Sequence, residues 1–355
     1  MVKKSQKSAK VLIAGYNSSF HDEFSGYGRI MEYSKGANIF DFTGIFCDDK
    51  YSFIGAIIRR LLVEIMIIFK GLRVDLVHYI YPEGMVFISP LVLKIFKKKI
   101  VMTLHLSPEW FNKKHNDSSV IKKLAREIFN KLTLRCIKIS DCALSLTTRV
   151  IPEYRRAYEI INVRYVPHGI VTANNAPRSK AYLLDGKPTI CIVGKNYRDW
   201  DFVNSIFNDS RATNFKFHLV GVDFDKIIYP DSVEVIRHTQ RLSHQSYVEV
   251  LSNSLFMLLP LHYATANNAI LEAYQNHLFV LTTKAGINAD YVEKSVFQLN
   301  DPEDTFSVIA SIIENARDKT IDIDEILDAA RNSSNNKYSW AAVVSQTDEI
   351  YSSLI

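Results

Sequence analysis

Glu272 follows Asn268 by four residues in the run Phe256–Val292, FMLLPLHYATANNAILEAYQNHLFVLTTKAGINADYV. An amide and a carboxylate at i and i+4 share one helix face. An apolar run, Phe256–Pro260, leads through the small and amide residues of Tyr263–Asn268 into that helix. A second apolar run, Phe279–Thr283, follows, and then the Gly286 loop. A strand, a loop and a helix start in this order offer backbone amides and a positive dipole end to a phosphate. A carboxylate one turn into the helix can accept both hydroxyls of a ribose. Ala269, Leu271 and Ala273 flank Glu272, which fits a packed helix better than an exposed one. The chemistry suggested is the handling of a nucleotide-linked molecule.

Other residues could complete such a site. In ICIVGKNYRDWDF a strand ends at Val193, Gly194 turns the chain, and Lys195 and Arg198 follow. Cations there suit a diphosphate, and Arg can engage it with two parallel hydrogen bonds. His105 directly follows the run Ile100–Leu104, a position that points a polar side chain into a cleft. His78 sits similarly in LVHYIYPEG with a weaker claim, and His168 in VPHG reads as a turn residue. Gly26 and Gly28, in SGYGR, precede a helix, so the backbone there can approach a phosphate or sugar. Ser243 reads as a helix N-cap.

The elements that must position these residues alternate along the whole chain. In the first half, apolar runs at Lys10–Ala14, Ile39–Ile45, Leu76–Ile80, Ile100–Leu104, Cys142–Leu146 and Val163–Val166 predict strands. Helices are expected to start near Gly28, Phe53, Pro90, Ser119 and Arg149. In the second half, strands are predicted at Thr189–Val193, Lys216–Val220, Val233–Ile236, Phe256–Leu259, Phe279–Thr283 and Val296–Leu299. Continuous apolar strands separated by helices imply parallel sheets covered on both faces. Two such sets predict an α/β chain of two doubly wound, Rossmann-like domains facing a cleft. The expected boundaries are 1–172 for the first domain, 173–187 for a polar linker and 188–335 for the second domain, with a closing helix over 336–355.

Composition limits the function classes. The chain has 355 residues, 47% of them hydrophobic, as in an ordinary globular protein of two domains. Cys47, Cys136, Cys142 and Cys191 have no metal-ligand spacing, so structural zinc and a disulfide framework are not expected. The basic N-terminus reads as a cytosolic lead into a strand rather than a signal peptide. Phe53–Phe69 is apolar but broken by Arg59, Arg60 and Glu64, which reads as a core-packed helix. Residues 1–170 carry 27 Lys and Arg against 15 Asp and Glu, a net of +12, and the remainder carries −7. The basic stretches Pro90–Lys99 and Ser119–Lys138 suit either a solvated face or a surface that rests on anionic lipid. Aromatic residues do not interleave with these charges, so nucleic acid is not an expected partner.

In their order, several pieces resemble the GT-B glycosyltransferases, most closely family 4, the retaining group. They are SGYGR, TLHLSPEW, RYVPHGI, ICIVGKNYRDWD, KFHLVG, LLPLHYATANNAILEAYQNHLFVLTT and the closing KYSWAAVVSQTDEIYSSL. The resemblance implies transfer of a sugar from a nucleotide-diphosphate sugar, with retention and without a bound metal or further cofactor. It places Glu272 on the ribose and Lys195 and Arg198 on the diphosphate. Asn267 and Asn268 would face the diphosphate and donor sugar. Gly26 and Gly28 match the N-terminal glycine loop, and His105 matches a histidine near the donor sugar. The closing helix would return to the first, acceptor-side domain.

One position departs from the pattern. The family usually has a second glutamate eight residues before the ribose-binding one, in contact with the donor sugar, and this chain has Ala264. The expectation is therefore a glycosyltransferase acting on a glycan or lipid-linked saccharide, in surface polysaccharide or glycolipid assembly. It would be cytoplasmic and peripheral on the inner membrane face. A sugar-nucleotide epimerase of the same fold and a non-catalytic nucleotide-sugar-binding protein are the alternatives.

Overall fold

The structure is a computed structural model and describes residues 10–17, 26–46, 53–83, 86–112, 119–172, 179–184, 186–266, 268–285 and 289–355. It divides into two compact units, Met1–Gly169 with Trp340–Ile355, and Ile170–Ser339.

Unit 1 contains β1 (Val11–Gly15), α1 (Ile30–Tyr33), β2 (Asn38–Asp41), α2 (Thr43–Phe46), α3 (Phe53–Gly71) and β3 (Leu76–Tyr79). It continues with α4 (Ser89–Ile95), β4 (Lys99–Leu104), α5 (Val120–Lys138), β5 (Cys142–Ser145), α6 (Ile151–Tyr158) and β6 (Val163–Tyr165). Unit 2 contains β7 (Thr189–Val193), α7 (Trp200–Asn208), β8 (Lys216–Val220), β9 (Glu234–His238), α8 (His244–Ser252) and β10 (Phe256–Leu259). After these come α9 (Asn268–Gln275), β11 (Phe279–Thr283), β12 (Val296–Leu299), α10 (Asp304–Arg317) and α11 (Ile323–Tyr338). The last helix, α12 (Trp340–Leu354), belongs to unit 1.

Each unit holds one six-stranded sheet with every pairing between its strands parallel, in the orders β2-β1-β3-β4-β5-β6 and β12-β11-β10-β7-β8-β9. Parallel crossovers are right-handed, so steps in opposite directions along a sheet put their helices on opposite faces. In unit 1 this sets α3, α4, α5 and α6 on one face and α1 on the other, where α12 packs beside it. In unit 2 the double cover is visible along single strands. Ile190 and Ile192 of β7 join a core with Val203 and Ile206 of α7 and Ile309 of α10. Cys191 and Val193, pointing the other way, join Leu251 of α8 and Ile270 and Leu271 of α9. Burial on both faces is why the central strands β7, β10 and β11 are apolar without alternation, whereas β8, nearer the edge, alternates in burial. Cys136, Cys142 and Cys191 are buried thiols.

Two sequence expectations change. The run Ile39–Ile45 stops being a strand at Asp41. The Asp41 carboxylate accepts from the Thr43 amide at 2.8 Å and from its hydroxyl at 2.5 Å, which turns the chain into α2. The run Phe53–Phe69 is not packed into a core on all sides. Val63, Glu64 and Ile67 are buried, whereas Ile54, Ile58, Leu62 and Phe69 are exposed. The inward-facing Glu64 accepts backbone amides of Phe87 at 3.0 Å, Ile88 at 3.1 Å and Ser89, so its burial is matched by hydrogen bonds. Among the described residues no helix is long and apolar enough to cross a membrane.

Candidate functional site

A doubly wound sheet opens at the point where its strand order reverses, because neighbouring crossovers there leave in opposite directions. In unit 2 that point lies between β7 and β10. The loops leaving these two strands are tied together. Arg198 and Leu261 form an antiparallel bridge, the Asp199 amide donates to Pro260 O at 3.0 Å, and the His262 amide donates to Tyr197 O at 2.9 Å. Asp199 also caps α7 by accepting from the Phe202 amide at 3.0 Å.

The first loop turns at Gly194, whose φ of 72° lies in the left-handed region that favours glycine. Arg198 then folds back under the turn. Its Nε and Nη2 donate to Val193 O and its Nη1 to Asn196 O, at 3.0, 2.5 and 3.1 Å. A guanidinium has five N–H donors, so two remain for a ligand. Burial lowers the Arg198 pKa to about 10, opposed by the charge of the Glu272 carboxylate. Lys195 is exposed and makes no ion pair among the described residues.

The second loop runs into α9. Asn268 opens this helix, and its Oδ1 is buried with no hydrogen-bond partner among the described residues. One turn on, Glu272 Oε2 accepts from the Tyr247 hydroxyl of α8 at 2.6 Å. Burial raises the Tyr247 pKa well above its usual value, with the Glu272 charge adding to the effect. The hydroxyl therefore stays protonated and fixes the carboxylate. Ala264 is buried, so the position where the resemblance expects a glutamate holds only a packed methyl group.

In unit 1 the strand order reverses between β1 and β3. Gly26 has a φ of 90°. A Cβ on Gly28 would come within 1.9 Å of Asn17 Oδ1 and 2.8 Å of Tyr16 O, so only glycine fits. Tyr27 is buried between them, and its amide donates to the Tyr81 hydroxyl at 3.0 Å. His105 packs its ring 4.4 Å from that of Tyr81 and 5.0 Å from that of Tyr27. Its Nε2 lies 2.7 Å from Ile80 O, a carbonyl that can only accept, so Nε2 carries the proton.

Glu83 holds this loop from behind. Its Oε1 accepts from the amides of His105 at 2.5 Å and Leu106 at 3.1 Å. Burial raises its pKa from 4.5 to about 7, against the opposing pull of those amides. A carboxyl with a raised folded-state pKa opposes folding once ionised, so it removes stability as pH rises from about 4.5 to about 7. Glu83→Gln keeps an acceptor oxygen and cannot ionise. The variant is expected to lose less melting temperature than the parent across that interval. Equal losses in the two proteins would show that Glu83 does not carry the shift.

The structure thus brings Arg198, Glu272 and Asn268 to one switch point, with Lys195 at its rim. Gly26, Gly28 and His105 gather at the other. Asn267 lies outside the described residues. Tyr247 was not visible in the sequence, because its contact joins helices 25 residues apart. Glu83 lies four residues past β3, so the rule that selects His105, directly after its strand, does not reach it. His78 takes no part in either group. It is buried within β3, with Nδ1 2.6 Å from the Tyr351 hydroxyl and Nε2 2.7 Å from Thr103 Oγ1, and burial lowers its pKa to about 3. His168 lies buried, with Nδ1 2.6 Å from Gly169 O, and packs against Tyr27 and Trp340. Ser243 caps α8, accepting from the Ser246 amide at 3.1 Å.

No family model matches the chain, and no curated protein matches it in sequence. Solved structures do match, over almost the full length. Sucrose-phosphate synthase from Thermosynechococcus elongatus has a TM-score of 0.65 at 14% identity, over 97% of this chain and 99% of its own. A glycosyltransferase from Rickettsia africae has a TM-score of 0.63 at 15% identity, over 97% and 98%. Anabaena HepE in complex with UDP-glucose has a TM-score of 0.61 at 10% identity, over 96% and 99%. The fold is GT-B. At such low identities the shared property is architecture: in GT-B terms, two Rossmann-like domains with the last helix counted in the first.

Proposed function

We propose that this GT-B chain is a glycosyltransferase that moves a sugar from a nucleotide-diphosphate sugar to a glycan or lipid-linked saccharide. The observation that carries the reading is the cluster at the β7–β10 switch point. There Tyr247 holds the Glu272 carboxylate near the Arg198 guanidinium, one turn beyond the start of α9. A carboxylate for the ribose hydroxyls, a cation for the diphosphate and a helix start for phosphate oxygens are the parts a nucleotide diphosphate needs.

In the reaction, the bond between the anomeric carbon and the β-phosphate oxygen breaks. The acceptor oxygen bonds to that carbon on the same face, and the departing phosphate takes the acceptor proton. Lys195 and the two remaining Arg198 donors stabilise the charge that develops on the diphosphate. This route retains configuration and needs neither a metal nor a carboxylate pair. His105, Gly26 and Gly28 keep the sugar-facing roles that the resemblance gives them. The net charge of +12 over residues 1–170 supports an anionic or lipid-linked acceptor and a cytoplasmic, membrane-peripheral site of action.

A melting-temperature screen against nucleoside diphosphates and their sugars tests this. Uridine nucleotides lead the panel, because HepE of like fold is seen with UDP-glucose. A nucleotide at a hundred times its Kd adds about 2.7 kcal/mol, a shift of several degrees. A flat response to the whole panel would remove the reading. Product analysis with the preferred donor and no acceptor separates transfer from epimerisation.

A further inference from the structure

α3 is apolar around most of its circumference, as helices covered on every side are. Its inner side is covered by the sheet layer, where Val63 and Ile67 are buried. Its outer side is open. At 3.6 residues per turn, Ile54, Ile58, Leu62, Ile65, Met66 and Phe69 fall within about 120° of arc. All six are exposed, Ile54 to 68% and Phe69 to 65%. Scattered surface leucines need no explanation, but a continuous stripe of this length does.

The neighbouring helices of the same layer also expose apolar residues. α3 packs against α4, and Arg60 of α3 lies 6.0 Å over the Phe129 ring of α5. Ile95 and Phe96 at the end of α4, and Val120, Ile121 and Leu124 on α5, are exposed as well. The charges around these residues are mostly of one sign. Lys97, Lys122, Lys123 and Lys131 are exposed beside them. Of the two glutamates on α3 and α5, Glu64 is turned inward onto backbone amides, and Glu127 alone faces out. At the end of α3 a pocket of about 420 Å³ is lined by Lys10, Asn38, Lys70 and Arg73 over Leu12, Ile39 and Val74.

We propose that the outer face of α3, α4 and α5 docks flat on an anionic lipid bilayer. The α3 stripe lies at the boundary of headgroups and acyl chains, and the pocket of Lys10, Lys70 and Arg73 takes a lipid phosphate. An apolar strip bordered by cations matches that surface in both respects. A second copy of this chain fits less well, because its own cations would face these. The assignment differs from the basic stretches that the sequence singles out: the apolar contact is made by α3, and the lysines of α4 and α5 surround it. It does not depend on the catalytic reading.

The test is flotation of the whole chain with vesicles of phosphatidylcholine alone or mixed with phosphatidylglycerol, with no sugar donor present. Binding is expected on the anionic vesicles, at least about tenfold weaker on the neutral ones, and weakened by salt. Ile58→Glu with Phe69→Glu should reduce anionic binding about tenfold or more. Lys70→Glu with Arg73→Glu should diminish the preference for the anionic lipid. These positions are exposed, so unchanged melting confirms that each variant is folded. Equal binding to both vesicle types, absence of binding, or parent-like binding by the double glutamate variants would overturn the proposal. So would a dimer in solution that Phe69→Glu dissociates, since a second copy would then cover the face.

Discussion

Glu272→Ala is expected to weaken nucleotide-diphosphate binding at least about a hundredfold while leaving unit 2 folded. Two hydrogen bonds from ribose hydroxyls to one carboxylate contribute about 1.5–3 kcal/mol each, and a loss of about 3 kcal/mol corresponds to a factor of more than a hundred. The substitution also leaves the Tyr247 hydroxyl without its 2.6 Å acceptor and Arg198 without a nearby negative charge. Tyr247→Phe separates these effects. It keeps the carboxylate and removes only the group that orients it, so its expected loss is smaller, about three- to tenfold. Calorimetry with the nucleotide selected by the melting screen measures both. Unchanged affinity in a folded Glu272→Ala protein would remove Glu272 from the ribose, whatever the fate of the wider reading.

Lys180→Met is expected to lower the stability of unit 2 by about 3 kcal/mol, or roughly 6–12 °C in its melting transition. Lys180 is 1% exposed. Its ammonium donates to Leu251 O at 3.3 Å, Ser252 O and Ser254 O at 2.9 Å, so its three protons meet the carbonyls at the end of α8. Its own amide donates to Asp324 Oδ1 at 2.7 Å, which joins the segment to α11. Methionine fills the same space and supplies no donor, so Ser252 O and Ser254 O lose the ammonium, while Leu251 O keeps the backbone amides of Asn253 and Ser254. Because α8 carries Tyr247, nucleotide affinity should fall together with stability. Scanning calorimetry that finds a change below about 1 kcal/mol would contradict this account.

Lys180 also shows where sequence reasoning reaches its end. The strands Thr189–Val193, Lys216–Val220, Phe256–Leu259, Phe279–Thr283 and Val296–Leu299 stand at the predicted bounds. Thr189–Val193, Phe256–Leu259 and Phe279–Thr283 are buried on both faces and so are continuous apolar runs, and a run is a local property. Asn268 and Glu272 were also readable together, because a helix converts spacing into a shared face. The segment 173–187 reads as a polar linker, yet it contains a buried lysine and a short helical turn at Ala181–Leu184. Its partners lie more than seventy residues away, and no local pattern announces them. The same holds for Tyr247. α3 departs from expectation for a related reason: periodicity shows that a helix has apolar faces, but not how many of them the fold covers.

The order of synthesis gives α12 a particular consequence. The sheet of unit 1 is encoded within the first 165 residues, but one of its faces is completed by Trp340–Leu354. The buried contact between His78 Nδ1 and the Tyr351 hydroxyl spans 273 residues. Trp340 packs beside Tyr27, and a Cβ on Gly169 would come within 2.3 Å of its indole. A chain leaving the ribosome therefore carries the first sheet with part of its core bare until the final turns emerge. The domain made first is finished last, and for that interval its uncovered apolar face is open to chaperones and to other nascent chains.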